Sequence, residues 1–365
     1  MGFNCGIVGL PNVGKSTLFN ALTSTAQAES ANYPFCTIEP NVGRIAVPDA
    51  RLVELAKIAG SKQILPAQLE FVDIAGIVEG ASKGEGLGNK FLANIRETDA
   101  ILHVVRCFDN DDITHVSGKV DPVSDIDVIE TELLLADMES VDNRIQNLSK
   151  KAKAGDKQTK EILEVLNLVA DVLHSGHPAK ETKVNESQRL ILKQLQLLTT
   201  KPMLYVCNVS ETELLNEDNK YVLSVKKKAG NSPVVKISAA IEAEIACLDS
   251  EEDKREFLND LGMQSTGLDL VVRTGYELLG LQTYFTIGPK EARAWTIQKG
   301  TKAPAAAGVI HTDFERGFIC AETISWKDYI ECEGEQKAKQ LGKLRLEGKD
   351  YAVQDGDVMH FRFNV

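Results

Sequence analysis

The sequence predicts an α/β fold with a mainly parallel sheet, an inserted helical hairpin and a separate α+β module at the C-terminal end. Short apolar runs alternate with helical patterns in the first half and again beyond Lys201, as in βαβ units. Strands are expected at residues 3–8, 69–73, 101–106, 203–208 and 234–237. Beyond residue 280 the pattern becomes rich in short strands with brief helices, which indicates a different module.

A heptad pattern between the third and fourth strands predicts the antiparallel helical hairpin. Apolar residues recur at alternating spacings of four and three at Leu134, Met138, Val141, Ile145, Leu148 and Ala152, and again at Ile162, Val165, Val169 and Val172. A Gly155-Asp156 turn separates the two runs. Because typical strand patterns resume afterwards, we expect the hairpin to be inserted into the α/β domain rather than appended to it.

These boundaries predict three domains. A chain of 365 residues exceeds the size of most single cores, which rarely grow past about 250 to 300 residues. We expect the α/β domain at 1–127 and 201–280, the hairpin at 128–200 and the C-terminal module at 281–365. That last module has as many basic as acidic residues, so the net charge of −12 arises upstream of it.

Composition and charge exclude several classes of protein. The net charge of −12 argues against broad affinity for nucleic acid, so no DNA partner is expected. No apolar run approaches the roughly 18 to 20 residues of a membrane span, and the N-terminus does not resemble a secretory leader. Seven scattered cysteines without a CxxC pair indicate reduced thiols. We therefore expect a cytoplasmic protein with no membrane partner.

A phosphate-binding motif follows the first predicted strand, in the strand, loop, helix context that such a motif requires. It reads Gly9-Leu10-Pro11-Asn12-Val13-Gly14-Lys15-Ser16-Thr17 and matches GxxxxGK[ST]. Glycines let the loop curl so that successive N–H groups point at phosphate oxygens, and the helix N-terminus adds positive potential. The candidate phosphate-binding residues are Asn12, Val13, Gly14, Lys15, Ser16 and Thr17, with Lys15 expected to bridge the β and γ oxygens.

Three further residues complete the predicted magnesium and γ-phosphate site. Asp73 ends the second predicted strand in an Asp-x-x-Gly pattern, which brings its carboxylate near the metal and the N–H of Gly76 near the γ-phosphate. Ser16 supplies one hydroxyl ligand to Mg²⁺. Thr37 is the candidate for a second, although its surroundings also fit a strand entry bounded by prolines.

Together these motifs resemble the Obg-like branch of the translation-factor-type GTPases, and more narrowly the YchF family of Obg-like ATPases. The resemblance covers essentially the whole chain and rests on residues 32–41, the glycine-rich segment 80–92, the hairpin and the ending Asp355-Gly356-Asp357-Val358-Met359-His360-Phe361. It implies a P-loop NTPase G domain and a C-terminal TGS domain with a β-grasp fold. It also implies an ATPase that acts as a ribosome-associated or translation-associated switch.

The base-binding loop departs from the guanine-specific pattern Asn-Lys-x-Asp. The corresponding residues are Asn208-Val209-Ser210-Glu211, so the lysine is missing and the acid is one methylene longer. Guanine should lose its advantage, because the paired hydrogen bonds to an aspartate no longer fit. The resemblance implies ATP as ligand and GTP as the weaker one, with Asn208, Val209 and Glu211 beside the base and Ser238 and Ala239 in the last base-side loop. A GTPase with relaxed base reading is the alternative.

Catalysis must also differ from that of Ras-like enzymes. A glutamine orients the attacking water there, but residue 77 is Ile, which has no donor or acceptor. The resemblance implies His115 as the catalytic group, along with Lys15, because a neutral histidine can position or deprotonate water. A satisfied loop histidine is the alternative. Asn12 resembles an asparagine of potassium-dependent relatives, and the hypothesis of a K⁺ cofactor predicts slower turnover when Na⁺ replaces K⁺.

Lysines crowd the predicted hairpin tip, at positions 150, 151, 153, 157 and 160. A solvated helix end and a contact with the phosphate backbone of ribosomal RNA both explain such a cluster. A third possible function is a nucleotide-gated scaffold, in which hydrolysis is incidental to binding a protein partner.

Overall fold

The computed structural model describes residues 3–30, 41–74, 87–110, 119–152, 156–248 and 250–364. Within them the strands are β1 (Asn4–Val8), β2 (Val42–Ala46), β3 (Gln63–Leu65), β4 (Gln68–Asp73), β5 (Ala100–Arg106), β6 (Met203–Asn208), β7 (Val234–Ile237), β8 (Leu281–Ile287), β9 (Glu291–Gln298), β10 (Phe318–Ser325), β11 (Arg345–Glu347) and β12 (Asp357–Phe363). No helix within these ranges is long and apolar enough to span a bilayer.

The α-helices of the same residues are α1 (Lys15–Ser30), α2 (Ala50–Ala59), α3 (Leu87–Glu97), α4 (Pro122–Ala152), α5 (Lys157–His174), α6 (Glu186–Gln194), α7 (Lys220–Ala229), α8 (Ala239–Ala246), α9 (Glu251–Asp260), α10 (Gly267–Leu278), α11 (Ala303–Ile310), α12 (Thr312–Arg316), α13 (Trp326–Glu331) and α14 (Glu335–Gln340). The chain forms two compact units. Unit 1 contains Arg44–Glu70 and Asp269–Val365, and unit 2 contains Phe3–Gly43 and Phe71–Leu268.

Unit 2 is built on parallel strands in the order β1, β5, β6, β7. Every residue of β5 is buried, as expected of a central strand covered on both faces. Ile7 pairs with Leu102, Leu102 with Leu204, and Val206 with Val235. Since parallel strands end at the same edge, the loops after β1, β5, β6 and β7 meet there, and that edge is where α/β proteins bind ligands.

The inserted hairpin consists of α4 and α5, which pack along an apolar seam. Its core includes Val141, Val165 and Val169, as the heptad pattern predicts, together with Leu166 and Leu173. Because Leu166 and Leu173 are also buried, the apolar surface of α5 is wider than a strict heptad seam, as in helices that pack into a globular core. The side chain of Asp156 begins α5 by accepting bonds from the N–H groups of residues 158 and 159.

A buried carboxylate fastens the hairpin to the chain that follows it. Asp137 of α4 is fully buried and accepts hydrogen bonds from the N–H of Leu198 at 2.9 Å and from the N–H and hydroxyl of Thr199 at 2.8 and 2.7 Å. The Thr199 hydroxyl also accepts from the N–H of Ala179, at 2.9 Å, beyond the end of α5. These hydrogen bonds therefore join the middle of α4 to two segments that follow α5.

Unit 1 contains a mixed sheet in the order β11, β10, β12, β8, β9, β3. The pairs β8–β9, β10–β12 and β10–β11 are antiparallel, whereas β12–β8 and β3–β9 are parallel. Short helices cover one face, where Ala303, Ala306 and Ala307 pack against Tyr284 and Phe361. The mainly parallel sheet, inserted hairpin and C-terminal α+β module of the predicted fold are confirmed.

One segment groups differently from the predicted domain boundaries. Residues 44–70 were expected within the first domain, but their contacts place Arg44–Glu70 in unit 1. Within that unit β3 pairs with β9, and Arg51 donates to Asp355 at 2.6 Å while its guanidinium lies 5.3 Å from the ring centre of Phe285. Contacts between residues so far apart in sequence produce no local sequence pattern, so this grouping could not be predicted from the sequence. The three domain boundaries themselves stay a prediction.

Candidate nucleotide-binding site

The loop after β1 turns sharply into α1. Gly14 has φ of +93° and Asn12 has φ of +63°, both in the left-handed region, and the N–H of Leu18 donates to the carbonyl of Gly14 at 2.9 Å to begin the helix. Lys15 is the first residue of α1. The N–H groups of this first turn have no partners within the helix, so they are available to an anion.

Two glycines are required here by space as well as by conformation. A Cβ on Gly14 would lie 2.3 Å from Nδ2 of Asn208, and a Cβ on Gly9 would lie 2.8 Å from the carbonyl oxygen of Val104. Both distances are shorter than real contacts. The loop therefore approaches β5 and β6 as closely as a bare backbone can, which fits the cradle that phosphate binding requires.

Lys15 forms an ion pair with Asp73 at the mouth of this loop. Lys15 is 9% exposed, and Asp73 is half-buried at the end of β4. The end of β4 is fixed alongside β1, because the N–H of Ile74 donates to the carbonyl of Ile7 at 3.3 Å. The structure thus brings the predicted phosphate-binding ammonium and the predicted metal-binding carboxylate together.

The residue types at this point fit a hard divalent cation. Ser16 is exposed on the first turn of α1, directly after Lys15, and Asp73 offers a carboxylate. Hydroxyl and carboxylate oxygens are the groups that bind Mg²⁺, which takes few protein ligands and keeps several waters. Thr17 is exposed beside Ser16.

Asn208 connects the phosphate loop to the base-side loops. Its side chain is 5% exposed at the end of β6; Nδ2 donates to the carbonyl of Val13 at 3.0 Å, and Oδ1 accepts from the N–H of Ala239 at 2.9 Å. Val13 precedes Gly14, and Ala239 is the first residue of α8. The predicted base-side residue therefore fixes three loops relative to one another.

The other base-side residues lie around Asn208. Val209 is buried and donates its N–H to the carbonyl of Ile237 at 2.8 Å, whereas Glu211 is exposed at the first residue of a 3₁₀ turn, Glu211–Glu213. Ser238 is 1% exposed at the N-cap of α8, and among the described residues its hydroxyl has no hydrogen-bond partner. A buried hydroxyl without a partner is costly, so Ser238 stands out among the residues of this loop.

Three predicted site residues, Thr37, Gly76 and His115, lie outside the described residues. His103 is a core residue of β5. It is 1% exposed, and burial lowers its pKa to about 3, so it stays neutral.

Two residues beside the base-side loop, Glu213 and Asn219, were not singled out by sequence analysis. Glu213 accepts from the hydroxyl of Ser210 at 2.8 Å and from Nδ2 of Asn219 at 2.9 Å. In the sequence, Glu213 appears only as an acid two positions after Glu211. Acids are common in polar loops, so this position alone does not indicate a role.

The fold and the site define a P-loop nucleoside triphosphatase. Two family models match: residues 4–133 match MMR_HSR1, described as a 50S ribosome-binding GTPase, and residues 281–364 match YchF-GTPase_C, described as a protein of unknown function. The chain is 59% identical to the ribosome-binding ATPase YchF of Haemophilus influenzae and 56% identical to that of Bacillus subtilis, in each case over 100% of both chains. The chain belongs to the YchF family.

A solved structure from the same family agrees with the fold. The structure of the Schizosaccharomyces pombe YchF GTPase superimposes with a TM-score of 0.88 at 39% identity, covering 99% of this chain and 98% of that one. The bacterial relatives are named ATPases and the yeast protein a GTPase. These names therefore leave the choice of base to the residues of the site.

Replacing Gly14 with alanine should abolish nucleotide binding without unfolding the chain. The added Cβ meets Asn208 and the backbone keeps a positive φ, so the loop must move out of its cradle. Gly60→Ala is the matched control, because Gly60 also has a positive φ, of +62°, but has no atom within 4 Å of its Cβ position. Nucleotide titration and thermal melting of both variants give the answer; normal affinity in Gly14→Ala would contradict the close approach.

Proposed function

We propose that this chain is an Mg²⁺-dependent ATPase that hydrolyses ATP to ADP and phosphate and acts as a nucleotide-dependent switch on the ribosome. The observation that carries the proposal is the Lys15–Asp73 pair at the start of α1, which joins a phosphate-binding cation to a metal-binding anion. In a complex with a metal-bound polyphosphate, Lys15 would bind phosphate oxygens and Asp73 would bind the metal. The family relatives named ribosome-binding ATPases support the same activity.

In this proposal the phosphate loop holds and orients the triphosphate. The backbone from Asn12 to Thr17 binds the phosphates, the ammonium of Lys15 stabilises charge on the β and γ oxygens, and the N–H of Gly76 contacts the γ-phosphate. Ser16, Thr37 and Asp73 are the proposed ligands of Mg²⁺. When bound there, Mg²⁺ would supply positive charge beside the phosphate oxygens. His115 is proposed to position the attacking water.

ATP is the proposed substrate, with GTP binding more weakly. Asn208, Val209, Ser238 and Ala239 form the proposed base side, where Asn208 is held by Val13 and Ala239, and Glu211 is an exposed carboxylate in the same loop. No lysine follows Asn208 to cover a guanine. Competitive titration of ATP against GTP tests the preference, and tighter GTP binding would favour the alternative, a GTPase.

The hairpin tip is the proposed ribosome contact, and a cytoplasmic location accompanies this partner. Lys150, Lys157 and Lys160 are exposed near the tip between α4 and α5. Exposed ammonium groups suit phosphate oxygens of ribosomal RNA. The nucleotide-binding domain is proposed at 1–127 and 201–280, the hairpin at 128–200 and the TGS domain at 281–365.

Lys15→Ala should lower ATP affinity and turnover by about 10- to 100-fold or more, since a charge-assisted hydrogen bond is worth about 1.5–3 kcal/mol. Steady-state phosphate release and ATP titration measure the effect. Lys57→Ala serves as the control, because Lys57 is an exposed lysine of α2. Wild-type activity in Lys15→Ala would overturn the proposed function.

The same assay in Na⁺ instead of K⁺ tests the proposed K⁺ dependence, which requires slower turnover in Na⁺.

Charge reversal at the tip should weaken ribosome binding and make it less dependent on salt. The variant carries Lys150→Glu, Lys157→Glu and Lys160→Glu, and the matched control carries the same change at the exposed lysines 57, 62 and 227. Co-sedimentation with ribosomes at several salt concentrations should show reduced pelleting for the tip variant alone. Equal pelleting of the two variants would count against the tip as the contact, while ATPase activity reports that both are folded.

A further inference from the structure

A carboxylate braces the outer side of the base-side loop. Glu213 accepts from the hydroxyl of Ser210 at 2.8 Å and from Nδ2 of Asn219 at 2.9 Å. Partial burial works against its charged form, but the bonds from Asn219 and Ser210 prevail and lower the pKa of Glu213. At neutral pH the brace is therefore an ionised acceptor with a donor on each side.

Asn219 is itself fixed by four hydrogen bonds. Besides Glu213, its Nδ2 donates to the carbonyl of Cys107 at 2.8 Å, and its Oδ1 accepts from the N–H groups of Tyr221 at 3.0 Å and Val222 at 2.9 Å. It is thus the N-cap of α7 and a link to the end of β5 at the same time. Through Asn219, the carboxylate of Glu213 is anchored to two rigid elements.

The inner side of the same loop is held by the nucleotide site. Asn208 bonds to the carbonyl of Val13 and the N–H of Ala239, and Val209 bonds to the carbonyl of Ile237. The segment from Ser210 to Glu213 closes as a 3₁₀ turn, with the N–H of Glu213 donating to the carbonyl of Ser210 at 3.1 Å. Glu211 lies between the fixed inner side and the braced outer side, so the brace sets the direction of its backbone.

We propose that Glu213 is a positioning residue for nucleobase selection, which acts by holding the turn that carries Glu211 in one geometry. This inference rests on the proposed function, because it takes residues 208–211 as the base-side loop. A carboxylate accepts hydrogen bonds from the 6-amino group of adenine or from the N1–H and 2-amino group of guanine. Which edge it meets depends on where the loop holds it, since a hydrogen bond tolerates only a few tenths of an ångström. A loosened turn lets Glu211 meet either base.

The test compares Glu213→Ala with Glu217→Ala in the full-length chain. Glu217 is an exposed acid of the same loop, so its removal makes the same change in charge. Affinities for ATP and GTP are measured with Mg²⁺ by titration, and turnover is measured at saturating ATP. In Glu213→Ala we expect ATP binding to weaken by about tenfold, the scale of one lost charge-assisted bond. GTP binding should weaken much less, and turnover at saturation should stay within about twofold.

A second variant keeps the test usable if the alanine variant is unstable. Glu213→Gln retains the shape and one oxygen acceptor, so it should restore part of the ATP preference. A ratio of GTP to ATP affinities in Glu213→Ala equal to that in Glu217→Ala would overturn the inference. So would equal losses for both nucleotides, or a loss confined to turnover, because a merely structural role would produce those results.

The wild-type measurements distinguish failure of the proposed function from failure of the role inferred for Glu213. A wild-type chain that binds no nucleotide overturns the proposed function. A wild-type chain that prefers ATP, with the same preference in Glu213→Ala and Glu213→Gln, overturns this inference alone. Equal wild-type affinities for ATP and GTP overturn both the proposed ATP preference and the role of Glu213 in selecting it.

Discussion

The carboxamide of Asn208 is the interaction on which the site depends. It donates to the phosphate loop at Val13 and accepts from the start of α8 at Ala239, and it fills the space that a side chain at residue 14 would need. A single buried amide therefore joins the candidate phosphate-binding loop to the candidate base-side loop. Because the amide is almost wholly buried, losing either partner would leave a polar group unsatisfied. That cost stabilises the observed positions of both loops.

The main strands, the inserted hairpin and the phosphate loop could be predicted from the sequence, because each produces a local sequence pattern. The strand over residues 203–208 was expected with the limits that β6 has, since a buried parallel strand appears as a short continuous apolar run. The hairpin was visible because apolar spacing repeats along a long helix. The phosphate loop was visible because its glycines and Lys15 must occupy fixed spacings to form the cradle.

The parts that could not be predicted depend on contacts between residues distant in sequence. Arg51 bonds to Asp355 across 304 positions, and no periodicity or motif marks that pairing in advance. Glu211 and Glu213 are both acids within one turn. Only the position of Asn219, fixed by the end of β5 and the start of α7, makes Glu213 the brace and leaves Glu211 exposed at the rim. The sequence predicts candidate residue types for the site, but it does not distinguish the roles of neighbouring acids such as Glu211 and Glu213.

The Lys15–Asp73 pair has a consequence for how ligands enter the site. Each charge neutralises the other in a place where Lys15 is almost buried, so removing one partner alone would leave an uncompensated charge with little access to water. Lys15 turns to a phosphate at least cost when Asp73 gains another cation, and Asp73 turns to a metal at least cost when Lys15 gains another anion. A metal-bound polyphosphate satisfies both conditions at once. Under the proposed function, the Lys15–Asp73 pair would therefore favour joint binding of nucleotide and divalent cation.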